Sequence, residues 1–363
     1  MSWNMRSPSA GTVEEPHSAR FRRARSGRHP DGTRPTGGLR MSQDARSFEH
    51  RPVMVDEIVD LLGPVPGGYV LDGTLGGAGH AAAILEAHPH LSILGIDRDH
   101  DALEAASGRL APFGDRASIH HARFDGFRVA MERAGISWLS GALFDLGVSS
   151  WQLDAAERGF SYREDAPLDM RMDRSDPTGR TAADIVNTAD EATLTKLFAE
   201  HGEQRFAKRI ARAVVAARPL RTTADLVDAV KRGIPAAARR TGGHPAKRVF
   251  QALRVEVNDE LAILPSTLDD VIDALVPGGR LAVLAYHSGE DRIVKDRFRS
   301  AATGDCTCPP GLPCVCGAPD RITVRLLTRG SRKPSPQEIA ANPRAESARL
   351  RAVEKLPPRT TTS

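Results

Sequence analysis

Tyr69-Val70-Leu71-Asp72-Gly73-Thr74-Leu75-Gly76-Gly77-Ala78-Gly79-His80 sets the architecture of the 363-residue chain around it. A short apolar run ends in an acid, and the turn that follows holds Gly76, Gly77 and Gly79. An alanine-rich run of helical character comes next, Ala81 to Ala87. Strand, glycine turn and helix make the first unit of a doubly wound α/β sheet, where ligands bind at the carboxyl ends of the strands. Glycine permits positive φ and close approach of backbone to a ligand. The start of the following helix presents free N–H groups at the same place. An ordinary tight strand-to-helix turn is the plainer alternative, and the density of glycine disfavours it.

Downstream the alternation continues. Leu91 to Asp97 reads as a second strand, again ending in an acid. Asp97 falls about 20 residues past the glycine loop, where such folds place the carboxylate that grips a ribose. Asp101 to Leu110 reads as a helix and Ala117 to His121 as a short strand, with Phe124 and Asp125 beyond its end. Ala142 to Gly147 is a fourth strand, carrying Asp145 at its end. Asp72, Asp97 and Asp145 at one edge of a sheet read as a single site.

After Gln152 the alternation stops, and from about Arg180 to Leu264 only helical patterns appear. Thr181-Ala182-Ala183-Asp184 has the form of a capping box, and Thr222 or Thr223 suits a second cap. Phe206, Ile210, Val214 and Ala217 form an apolar face, with Arg205, Lys208 and Arg212 as a basic stripe elsewhere. A basic loop, Arg239 to Pro245, leads to a long helix from Ala246. Leu268 to Leu275 then reads as a helix and Arg280 to Tyr286 as an apolar strand. The expected architecture is a Rossmann-like α/β domain over residues 49–152 and 265–335, interrupted by an all-helical insert at 153–264. Residues 1–48 read as a disordered basic N-terminal tail and 336–363 as a basic C-terminal tail.

The composition, 40% apolar and 26% charged with a formal net charge of +4, suits a soluble globular protein. It is compatible with nucleic acid without pointing to it. No apolar run approaches the roughly 18 residues of a membrane span. The N-terminal arginines lack the apolar core of a secretory signal, so a cytoplasmic location is expected. The oligomeric state is left open, a homodimer included.

The glycine loop does not fit the dinucleotide pattern. Gly77-Ala78-Gly79 is followed by His80, Ala81 and Ala82, with no third glycine at the required offset. It resembles the first motif of class I S-adenosylmethionine-dependent methyltransferases, and a nicotinamide dehydrogenase is the competing reading. Longer motifs sharpen this. His50-Arg51-Pro52-Val53-Met54, Asp72-Gly73-Thr74, Gly79-His80, Asp97-Arg98-Asp99 and Asp145 through Asp154 are spaced as in the RsmH (MraW) family of bacterial methyltransferases. So are Glu157-Arg158-Gly159-Phe160-Ser161, Pro167 to Met172, Phe250 to Arg254, Tyr286 to Arg292 and Asn342 to Ala345. The resemblance spans roughly Phe48 to Lys355. It implies methylation of the exocyclic N4 of a cytidine in the decoding region of 16S ribosomal RNA, on the small ribosomal subunit, with S-adenosyl-L-methionine as the methyl donor. A non-catalytic RNA-binding assembly factor that keeps the fold is the alternative from a different class.

The same resemblance implies residue roles. Ala78, Gly79 and His80 would line the amino-acid end of the cofactor, Asp97 would clamp its ribose and Phe124 would stack near its adenine. Asp145 and Gln152 would supply further contacts. Two positions depart from the family: a second loop glycine is Ala78 here, and a common Phe is Tyr286. For catalysis, amino-methyltransferases usually carry Asp/Asn-Pro-Pro-aromatic after the fourth strand. Here Asp145-Leu146-Gly147-Val148 lacks the prolines. Asp145 is the expected acceptor at N4, with His287 and Glu290 as alternatives. The amine is reachable only in an unstacked base. Arg205, Lys208, Arg212, Arg239, Arg240, Lys247 and Arg248 could track the phosphates.

All four cysteines sit in one short stretch, as Cys306-x-Cys308 and Cys314-x-Cys316. Four thiolates suit a tetrahedral structural zinc, although the usual spacing is C-x-x-C. Free thiols in a reducing cytosol are the alternative.

Overall fold

In the computed structural model, which describes residues 52–148, 152, 155–201, 203–239, 244–309 and 314–358, seven strands form one sheet. They are Gly68–Asp72 (β1), Leu91–Asp97 (β2), Ala117–His121 (β3), Leu139–Asp145 (β4), Leu275–Ala285 (β5), Val324–Leu326 (β6) and Arg349–Lys355 (β7). Their order is β3-β2-β1-β4-β5-β7-β6. The first five are parallel, and β7 runs antiparallel to both its neighbours. The chain proceeds outward from β1 to β3, then returns to place β4 on the other side of β1. That reversal creates a crevice between β1 and β4, the usual ligand position in open α/β sheets.

Strands buried on both faces read as continuous apolar runs, and β1 and β4 show why. Leu71 and Phe144 point into one core with Phe127, Leu268, Val271 and Phe298. Val70 and Leu143 point into the other with Ile58, Leu62, Ile84 and Leu103. A separate core serves the helices between β4 and β5, with Ile185, Leu194, Phe198, Ile210, Val214, Leu226, Val230 and Phe250 buried together. Capping boxes start two of these helices, Thr181 with Asp184 and Thr222 with Asp225.

Two sequence expectations need correction. The expected tail 336–363 is, over its described residues up to 358, part of the fold: Arg349–Lys355 is a full strand between β5 and β6. Its inward residues Leu350, Ala352 and Val353 are buried. Its charged residues face acids and arginines of neighbouring elements, Arg351 on Asp291 and Glu354 on Arg280, so the basic look of the segment hid its sheet role. The helical section also ends earlier than Leu264. Asp259, at φ 52°, separates the helix Lys247–Asn258 from the helix Glu260–Ala274, and the second helix packs on the sheet. Pro265 lies inside that second helix without ending it. The segment 1–48 and Arg240 lie outside the described residues.

A buried polar cluster joins the sheet to the helical section. Asp99 follows β2 and caps the helix His100–Leu110. The guanidinium of Arg158, 2% exposed, donates to both oxygens of Asp99, at 3.3 and 2.9 Å, and to Asp101 at 3.1 Å. It also donates to the Met172 carbonyl at 2.9 Å. Asn258 holds the same segment from the other side, accepting from the Met172 N–H and donating to the Met170 carbonyl. Removing one partner of a buried ion pair leaves the other charge without compensation. Arg158→Ala should therefore lower the unfolding free energy by roughly 3 kcal/mol in urea titrations. A loss below about 0.5 kcal/mol, the usual scale of a surface change, would contradict the role given to this cluster.

Candidate active site

The parallel register sets the site. Asp72 lies opposite Gly95 on one side and Leu143 on the other, so β2 and β4 each run two residues further, from 95 to 97 and from 143 to 145. The glycine turn thus leaves β1 between two projecting strand ends. Asp97 binds that turn directly: its Oδ2 accepts from the Gly76 N–H at 2.7 Å and its Oδ1 from the Asp99 N–H at 2.9 Å. On the other side the Asp145 N–H donates to the Thr74 hydroxyl oxygen at 2.6 Å. The Thr74 N–H donates to Asp72 at 3.2 Å.

Within the turn, Ala78 takes φ 58° with its side chain fully buried, a conformation that favours glycine. The position where the family often has glycine does need the left-handed region, and alanine occupies it here. A Cβ on Gly77 would meet nothing within 4 Å, so this part of the loop faces open space. A Cβ on Gly79 would lie 2.5 Å from Pro52 Cγ; close packing against Pro52 explains that glycine without a ligand.

His80 is buried near the start of the helix Gly79–Ala87. Its Nε2 lies 2.9 Å from the Val53 carbonyl. A carbonyl only accepts, so Nε2 carries the proton. The other nitrogen, Nδ1, faces Asp145 Oδ2 at 3.7 Å. The opposite oxygen of Asp145 accepts the Tyr286 hydroxyl at 2.7 Å. Burial, followed by the Asp145 charge, holds the Tyr286 hydroxyl well above the ordinary tyrosine range, so it stays a donor. Asp145 is 27% exposed and reachable from solvent.

Phe124 begins a short turn after β3 and meets Phe144 edge to face, with ring centroids 5.8 Å apart. Gln152 is buried and its amide donates to Asp99 Oδ2 at 2.9 Å. That bond places it in the junction with Arg158. His287 and Glu290 serve as the cap of the helix Ser288–Thr303: His287 Nδ1 accepts from the Gly289 and Glu290 N–H groups. Glu290 accepts from the Tyr286 N–H at 2.7 Å and lies 3.5 Å from Arg254. Burial would raise its carboxyl, but His287 and Arg254 outweigh it and hold it below the usual range. These two residues are bound into the fold, unlike the more open Asp145. Among the basic residues, Arg212 faces Glu191 and Arg248 faces Glu203, while Lys208 and Lys247 are exposed.

Sequence reasoning missed the Arg158–Asp99 cluster and the Tyr286–Asp145 bond. Arg158 lies inside a quoted motif, but a buried arginine looks the same as an exposed one in a sequence. Tyr286 did carry a signal, as the position where a hydroxyl replaces a bare ring.

A parallel sheet whose strand order reverses at a glycine turn walled by acids is the Rossmann-like arrangement for a nucleotide-type ligand. The chain belongs to the MraW methylase family, whose model matches residues 47–356. It is 55% identical over 313 residues to the ribosomal RNA small subunit methyltransferase H of Thermobifida fusca, covering 84% of this chain and 93% of that protein. The protein of the same name from a Geobacter strain (M21) is 51% identical over 314 residues, covering 85% of this chain and 99% of its own length. Among solved structures, an rRNA methylase from Streptococcus thermophilus aligns with 84% of this chain and 96% of its own, at 12% identity and a TM-score of 0.37. Family membership rests on the sequence matches.

Asp72 gives the site a pH dependence. Burial, then the nearby Asp145 and Asp97 charges, raises its carboxyl from 3.8 to about 7 against the pull of the Thr74 N–H. The native state therefore keeps a proton that the unfolded chain releases near pH 4. Ionising Asp72 costs stability progressively as pH rises from about 4 to about 7, and the cost is constant above that. Asp72→Asn keeps the acceptor for Thr74 and removes the charge. It should raise stability at pH 8 by on the order of 2 kcal/mol and by about zero at pH 4, measured by denaturant titration at both values. An equal effect at the two pH values would contradict the assigned shift.

Proposed function

We propose that this protein transfers a methyl group from S-adenosylmethionine to the exocyclic N4 of a cytidine in the decoding region of 16S ribosomal RNA. The observation that carries the cofactor reading is the glycine turn walled by Asp72, Asp97 and Asp145, whose Gly76 N–H is already bonded to Asp97. A pyrophosphate would meet carboxylates here, whereas a cationic sulfonium finds charges of the opposite sign. The family membership and the names of the relatives support ribosomal RNA as the substrate. The residue-level resemblance supports N4 of cytidine.

The cofactor, when bound, supplies an already activated methyl group. The chain supplies position and electrostatics. A carboxylate has about four lone-pair sites, and the two N–H groups on Asp97 leave others for ribose hydroxyls. Gly77 gives the backbone an open approach on the same side. Asp145 is suited to accept an N–H of the cytosine amine and to stabilise the positive charge that develops on N4. The Tyr286 hydroxyl fixes the rotation of that carboxylate. The target base must leave its stack to reach Asp145, and Arg205, Lys208 and Lys247 are exposed cations suited to hold flanking phosphates.

Incubating unmodified small subunits with the protein and labelled S-adenosylmethionine, then digesting the RNA to nucleosides, should yield N4-methylcytidine. With Asp145→Asn, turnover should fall about a hundredfold or more while cofactor Kd moves less than about threefold. Tyr286→Phe should lower kcat about tenfold with cofactor binding unchanged. If Asp145→Asn leaves binding and turnover both unaffected, Asp145 has neither role. Cofactor binding without any methyl transfer would favour an assembly factor instead.

A further inference from the structure

We propose that Cys306, Cys308, Cys314 and Cys316 bind a single zinc ion that closes the loop between the helix Ser288–Thr303 and β6. The four sulfurs lie within 4.8 Å of one another. The Cys314 Sγ is 3.6 Å from Cys306, 3.9 Å from Cys308 and 3.5 Å from Cys316, and Cys316 is 3.8 Å from Cys306. A tetrahedral ion with bonds of about 2.3 Å to sulfur sets its ligands about 3.8 Å apart. A disulfide would bring two sulfurs to about 2.0 Å. An iron–sulfur cluster would spread the thiolates over several irons and hold them farther apart. The spacing is that of one ion with four thiolate ligands, which leaves no open position for catalysis.

Hydrogen bonds of the chain itself close the loop at its base. Arg321 donates to the Gly304 carbonyl at 3.1 and 2.9 Å and to the Cys316 carbonyl at 3.0 Å. Gly304, at φ 60°, lies so near the Ala318 carbonyl that a Cβ would clash with it. Above this base the described residues from Asp305 to Gly317 are exposed or half-buried, and Val315 is 90% exposed. Among the described residues no apolar core holds this part of the chain, yet its four sulfurs converge. A metal does for such a loop what a core does elsewhere. The two C-x-C bites suit the site because each pair straddles one residue of a tight, irregular turn. Four thiolates and Zn²⁺ sum to a charge of −2, and the Arg321 guanidinium beside Cys316 offsets part of it. β6 follows directly, anchored where the Thr323 N–H donates to the Ala301 carbonyl.

The test is the metal content of the full-length protein, purified without a polyhistidine tag, together with thiol titration of the reduced protein before and after adding zinc chloride. The expected result is about one zinc per chain and four thiols that become unreactive on zinc addition. Cobalt(II) in place of zinc should give the thiolate charge-transfer and tetrahedral ligand-field bands of a four-sulfur site. Cys314→Ser should lose the bound zinc while N4 methylation persists. Less than about a tenth of an equivalent of zinc after reconstitution, four thiols still reactive, or iron in its place would overturn the proposal.

Discussion

The carboxylate of Asp97 is where the molecule is tied together. One of its oxygens accepts from Gly76 in the turn after β1, the other from Asp99 in the turn after β2. Two neighbouring strand-to-helix turns are thus fixed by one side chain. Asp99 then passes the constraint on, because its own carboxylate takes Gln152 and Arg158. Arg158 in turn holds the Met172 carbonyl, and Asn258 holds the Met172 N–H. A short relay of buried polar contacts therefore links the glycine turn to the helical section that follows β4. The glycine turn and the helical section are set relative to each other by that relay.

Gathering acids at a sheet edge works against folding. Burial raises Asp72 and Asp97 alike, and neighbouring carboxylates add to it, Asp145 and Asp97 on Asp72 and Asp99 on Asp97. Natural sequences tolerate such conflicts where function requires them. A cationic ligand would relieve the conflict by placing positive charge among the carboxylates. On the β4 side the same logic is softer. Asp145 is partly open, one oxygen receives the Tyr286 hydroxyl and the other faces a histidine nitrogen. Asp145 is oriented by a side chain on each oxygen and is still reachable by a substrate, whereas Asp72 is buried.

Much of this was legible in the sequence because buried parallel strands announce themselves. β1, β2 and β4 are apolar runs that end in Asp72, Asp97 and Asp145, and nothing else in the chain looks like them. The caps at Thr181 and Thr222 were legible for a similar reason, since a side chain and its partner three residues on form a local pattern. What escaped notice depends on distant partners. β7 carries Arg351 and Glu354, whose charges are met by Asp291 and Arg280 far along the chain, so it reads as a tail. The end of the helical section is marked by the single residue Asp259 in the left-handed region, with no glycine to signal it. The contact of Gly79 with Pro52 becomes visible only in three dimensions. His287 and Glu290 looked like catalytic candidates because capping pairs and reactive pairs use the same residue types. The four cysteines gave a spacing but not a geometry, and the convergence of their sulfurs is a property of the folded loop.

Comparing the modified nucleotides of 16S ribosomal RNA in cells that have and lack this protein tests the central claim most directly. One cytidine in the decoding region should lose its N4-methyl group without the protein and regain it when the wild-type chain is returned, but not when Asp145→Asn replaces it. An unchanged N4-methyl pattern in the cells lacking the protein would contradict that claim.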